Sequence, residues 1–178
     1  MPVEAISQAR PLVEAVLRWT KELGMRFQGI PLQVRLIDPI EDAKRDSGHV
    51  ICLFYKHGRK ITHVHIETLE IVKGLAPIHF QGVLVHELGH VWMLCLRRRW
   101  PQWIEEGFCD LLSYRFYIEI GTEEAMALAH QIEANPNPIY RHGFTFVRDR
   151  LGLRGLEVFV RREASCFLSQ MPDKRLIY

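Results

Sequence analysis

Cysteine is sparse and unpaired: Cys52, Cys95, Cys109 and Cys166 are scattered through 178 residues with no Cys-x-x-Cys pair. That excludes a zinc finger and offers no disulfide framework. Cys95 and Cys109 fall in apolar helical patterns, as small core residues do. No uninterrupted apolar run reaches membrane-spanning length, so no membrane association is expected. The start Met1-Pro2-Val3-Glu4 lacks a basic segment followed by an apolar one, so no secretory signal is expected and the location is expected to be cytoplasmic. An excess of one charge sign is lacking as well, with 23 basic against 21 acidic residues. A net charge of +2 leaves no nucleic-acid footprint. The one basic cluster, Arg97-Arg98-Arg99, follows an apolar helix and complements its carbonyl end. What is present is apolar: 48% hydrophobic and 10% aromatic residues argue for a globular chain, read as one domain over 1–178. Composition does not set an oligomeric state.

The pattern predicts an α+β fold, with a small, mostly antiparallel sheet followed by a helical bundle. Val3 to Leu23 reads as an amphipathic helix weakened at Pro11 and ended by Gly24. Pro31–Ile37, Val50–Tyr55 and Ile61–Glu67 read as strands, the last two joined by a turn at Lys56-His57-Gly58-Arg59. Everything after is helical. A helix from Pro77 to about Arg98 is apolar nearly all round, hence buried and central. Others are predicted over Gln102–Ile120, from Thr122 to before Asn135, over Gly143–Arg150 and over Leu156–Arg162.

Inside that central helix stands His86-Glu87-Leu88-Gly89-His90, followed sixteen residues after His90 by Glu106. Residues four apart share a helix face, so His86 and His90 can aim two imidazoles at one ion. Buried imidazoles and carboxylates are costly unless paired or metal-bound. A third ligand from the next helix would leave the fourth position open, the arrangement of a catalytic zinc. Glu106 and Asp110 are four apart on one face, whereas Glu105 points about 100° away. Glu106 is therefore read as the ligand, with Asp110 hydrogen-bonding a ligand imidazole. Met93 and Leu96 stand where a metzincin needs Gly and His, which excludes that class. Two histidines and one glutamate form the gluzincin, or zincin-like, pattern.

Three segments carry a closer likeness: Gly74-Leu75-Ala76-Pro77, Gly82-Val83-Leu84-Val85-His86-Glu87 and Glu105-Glu106-Gly107-Phe108-Cys109. With His130-Gln131-Ile132-Glu133, Pro138-Ile139-Tyr140 and Gly143-Phe144, they resemble the peptidase domain of the plant "DA-one" family over roughly residues 74 to 160. Those proteins are LIM-domain zinc peptidases activated by ubiquitination that limit organ growth. The resemblance implies zinc at His86, His90 and Glu106, a catalytic Glu87, and protein substrates. Ubiquitin-interacting motifs, LIM modules and the family's serine-rich insertion before His130 are missing, so ubiquitin control does not carry over. Asp110 stands where that family is expected to have Gln. The chain looks like a stand-alone prokaryotic relative.

The expected activity is zinc-dependent hydrolysis of a protein or peptide substrate by a metal-activated water, with Glu87 taking its proton and passing it to the leaving amine. Neutral histidines are needed for metal binding, so activity is expected to fall below about pH 6. The oxyanion needs a donor, for which Tyr140 and His142 in the Pro-rich segment are the candidates. Ile61–Glu67 is the candidate edge for an added substrate strand. His63, His65 and Glu67 alternate on one face of that strand, as a second metal site or a solvated sheet face would. The rival to catalysis is a zincin-like interaction module, non-catalytic or cleaving a single regulatory partner. Glu87 argues against the non-catalytic version, since a structural metal does not need it.

Overall fold

The computed structural model describes residues 1–27, 30, 32–39, 47–57, 60–97 and 100–169, with 53–57, 60–63 and 164–169 described by backbone alone. Helix α1 spans Ile6–Leu23 and runs unbroken through Pro11. Gly24 ends it in the left-handed region at φ 109°, where a side chain would be strained. Three strands follow: β1 (Val34–Ile37), β2 (Gly48–His57) and β3 (Lys60–Val72). The sheet order is β1-β3-β2, with β2 antiparallel and β1 parallel to β3. The sheet is thus mixed and, as expected, mostly antiparallel: β2 and β3 share ten register pairs, against four between β1 and β3.

Strand β3 continues five residues beyond its predicted end because Leu69 and Ile71 keep the inward alternation. Both are fully buried. The intervening Glu70 is held by His49 at 3.0 Å and Arg35 at 3.4 Å. A register shift between Ile51 and Cys52 breaks the simple period-two pattern in β2. The turn residues Gly58 and Arg59 lie outside the described residues.

Helix α2 (Pro77–Cys95) starts on a proline, which gives up an amide that has no helical partner there. It stops short of the predicted Arg98, where Arg97 takes φ 54°. Its buried side chains include Phe80, Leu84, Leu88 and Trp92, and it packs against the sheet, α1 and the two helices that follow. Helix α3 covers Gln102–Ile120, between Pro101 and a left-handed Gly121. Helix α4 (Glu123–Glu133) is capped by the Thr122 hydroxyl, which accepts from the Ala125 amide at 3.3 Å. Helix α5 (Pro138–Ser169) is broken at Gly152, whose φ/ψ of 60°/176° turns the chain between two helical stretches. Trp92 stacks on Phe108 at 5.4 Å with Phe159 edge-on to both, locking α2, α3 and α5 into one core. No helix among the described residues is long and apolar enough to cross a membrane.

Candidate metal centre

On α2, the Nε2 atoms of His86 and His90 lie 3.1 Å apart. Helix α3 brings Glu106 Oε2 to 3.3 Å from the first and 3.5 Å from the second. Three ligands at 2.0–2.1 Å from a tetrahedral ion stand about 3.3 Å from one another. The triangle of two nitrogens and one oxygen therefore fits one face of such a tetrahedron, and the fourth vertex is left to something other than these three side chains. All three side chains are largely buried.

The other ring nitrogens are held too. His86 Nδ1 lies 3.1 Å from Asp110 Oδ1, and His90 Nδ1 lies 3.1 Å from Glu105 Oε1. Each carboxylate fixes a ring orientation and places a proton on Nδ1, which frees Nε2 to donate its lone pair. Glu105 is the partner of His90 that sequence reasoning missed. It leaves the helix about 100° away from Glu106, and that angle carries it to the second histidine. A second acid directly before the ligand was the available signal.

The charges respond to this packing. Burial alone would lower the His86 pKa, but hydrogen bonds with Asp110 and Glu106 outweigh it and hold the imidazole well above 6.5. His90 is likewise opposed by burial and held well above 6.5 by Cys109, Glu105 and Glu106. Burial would raise Glu106, yet the two histidines bring it down to about 2. In the metal-free protein the histidine contribution to stability is full below about 6.5 and is lost as pH rises through the raised values. The Glu106 contribution runs the other way, full above about 4.5 and lost as pH falls toward about 2. Thermal unfolding of chelated protein is therefore expected to show the cluster's full stabilisation between about pH 4.5 and 6.5. A wild-type minus His90→Ala difference that grows above pH 7 would contradict this. Metal must displace those protons, so its apparent affinity rises with pH and binding releases acid.

Cys109 adds a sulfur. His86, His90 and Cys109 each place a ligand atom within 4.8 Å of the others, a buried set that can hold a metal ion. The thiol is fully buried, packs against Gly89 of α2, and is pushed up by burial, which opposes the thiolate that a metal needs. Glu106 is ionised already. Among the described residues this is the one cluster able to hold an ion. His65 and Glu67 on β3 are exposed, and the His63 side chain lies outside the description.

A cleft of about 230 Å³ opens beside the cluster, bordered by His86, Glu87, Asp110 and Tyr140. Glu87 is 4% exposed, and its carboxyl is raised above its usual range, chiefly by burial. The strand that borders this cleft is β2, through Gly48 at its start, and β2 is an outer strand of the sheet. Among the described residues β1 pairs β3 only along Leu69–Val72, so the Ile61–Glu67 stretch is paired on one side only but does not line the cleft. Gly48 makes the approach possible: a Cβ there would stand 2.7 Å from Val83 and 3.1 Å from the Glu87 Cγ. Comparison with known protein families, curated proteins and solved structures finds no match.

Tyr140 and His142 part company. Both lie on α5 rather than in a crossing loop, and only Tyr140 lines the cleft. His142 is exposed and rests against Trp103, ring centroids 5.1 Å apart. The first turns of α5 reach the site because two glycines let the backbones touch. A Cβ on Gly107 would fall 2.1 Å from the Gly143 carbonyl carbon, and one on Gly143 would fall 1.9 Å from the Trp103 oxygen. Gly107→Ala should force α3 and α5 apart and cost about 1–3 kcal/mol in denaturant unfolding. An unchanged midpoint would show that the helices yield freely.

Proposed function

We propose that this chain is a zinc-dependent peptidase of the gluzincin type. The observation that carries the proposal is the convergence of His86 Nε2, His90 Nε2 and Glu106 Oε2 within 3.5 Å, with the buried Glu87 in the adjoining cleft. His86, His90 and Glu106 would hold the ion, while Asp110 and Glu105 orient the two rings. When bound, zinc supplies Lewis acidity, acidifying water and polarising a carbonyl.

The side chains then divide the work of adding one water across one peptide bond, which yields a carboxylate and an ammonium group. Burial raises the Glu87 carboxyl above its usual range, which makes it a better proton acceptor than an exposed glutamate. Glu87 accepts the water proton and delivers it to the leaving nitrogen as the C–N bond breaks, and the second water proton follows from the new carboxyl group to the amine, so no proton is left over. Tyr140, which lines the same cleft, would donate to the developing oxyanion. The outer edge of β2 offers backbone amides and carbonyls to an extended peptide, holding its scissile bond over Glu87.

Tyr140→Phe is expected to lower kcat about 10- to 1000-fold with metal content unchanged, and His142→Ala to stay within about twofold of wild type. Steady-state kinetics on a cleaved peptide decide it; the reverse order would move the oxyanion role to His142. The function itself is tested by mass-spectrometric mapping of new N-termini in a protein mixture. Termini made by wild type and not by Glu87→Gln support hydrolysis at this site.

A further inference from the structure

The cleft beside Glu87 has a chemical character of its own. Its walls are aliphatic at Val83 of α2 and at Leu128 and Ile132 of α4. Asp110, 7% exposed, stands in the wall with one oxygen on His86 and with Oδ2 lacking any hydrogen-bond partner among the described residues. Glu87 is the second carboxylate of the lining, and no lysine or arginine is found among the described lining residues. The neighbouring Tyr117 hydroxyl is held above its usual range by burial first and then by Asp110 and Glu124. A cavity of about 150 Å³ accepts a benzene-sized group, so about 230 Å³ suits one long side chain. Aliphatic walls around a carboxylate match an aliphatic stem that ends in a cation.

We propose that this cleft is the subsite for a single cationic side chain, an amine or guanidinium on an aliphatic stem, with Asp110 as its counter-charge. The proposal rests on the peptidase reading for its position: Glu87 returns the proton to the leaving nitrogen, so the cleft beside it receives the residue on the amine side of the broken bond. Acidic side chains meet two carboxylates there and are excluded. Uncharged stems of the same length leave the carboxylate without a partner and are disfavoured.

The test uses peptides that differ only at that residue, carrying lysine, norleucine or glutamate. Wild type is expected to cleave the lysine peptide with kcat/KM about 10- to 100-fold above norleucine, and glutamate lower still. Gln131 lines the cleft, is exposed, and lies outside the metal cluster. Gln131→Lys should bring the lysine-to-norleucine ratio close to one, and Gln131→Glu should raise it, both with unchanged zinc content. Norleucine cleaved as well as lysine by wild type, or a ratio indifferent to both substitutions, overturns the subsite and leaves the peptidase reading standing. Should no peptide be cleaved, that reading fails, and calorimetric titration with n-butylguanidinium chloride still tests the cleft. Heat that disappears in Gln131→Lys supports the subsite, and no heat in wild type overturns it.

Discussion

Glu87→Gln is expected to lower kcat about 100- to 10,000-fold on any peptide that wild type cleaves, while zinc content stays the same. The amide keeps the shape and burial of the acid but neither accepts the water proton nor returns it. Glu87 is not part of the triangle of ligand atoms, so its loss should not release the ion. Burial leaves the carboxyl above its ordinary range, so it is a better proton acceptor than an exposed glutamate. Zinc content by mass spectrometry, measured on the samples used for kinetics, separates the two effects. A variant with full zinc and near wild-type turnover would assign the proton transfer to another group.

The second large effect concerns adjacent acids with different tasks. Glu106→Ala removes one vertex of the triangle and should abolish stoichiometric zinc. Glu105→Ala only frees the His90 ring, with an expected 10- to 100-fold loss of affinity and recovery of much of it in Glu105→Gln. X-ray absorption of the zinc-loaded protein should show nitrogen and oxygen at 2.0–2.1 Å and no sulfur at about 2.3 Å. A sulfur shell would make Cys109 the ligand in place of Glu106. Zinc lost in Glu105→Ala and kept in Glu106→Ala would exchange the two glutamates.

Local spacing made part of this site legible. His86 and His90 are four positions apart on one helix, and Glu106 and Asp110 four apart on another, so each pair's shared face follows from helical geometry. The partnership of Glu105 with His90 depends on the angle at which α3 crosses α2, which no local pattern records. Tyr140 and His142 looked equivalent because the start of α5 at Pro138 was not recognised. On a helix they point about 200° apart, and only one can face the cleft. In the fold, the predicted Gln102–Ile120 helix matches α3 at both ends, where Pro101 and a left-handed Gly121 flank it. The sheet order was not legible, because the parallel pairing of β1 with the far end of β3 joins residues 35 apart in sequence. The close passage of β2 over Glu87 depends on Gly48, a residue that reads locally as loop.

Metal-dependent cleavage is tested most directly by mapping new N-termini in a protein mixture. The mixture is treated with zinc-loaded protein, with chelated protein, and with chelated protein reloaded with zinc. The expected result is a set of termini that appears with zinc, disappears on chelation and returns on reloading. Stoichiometric zinc with the same termini in all three samples would contradict the peptidase assignment.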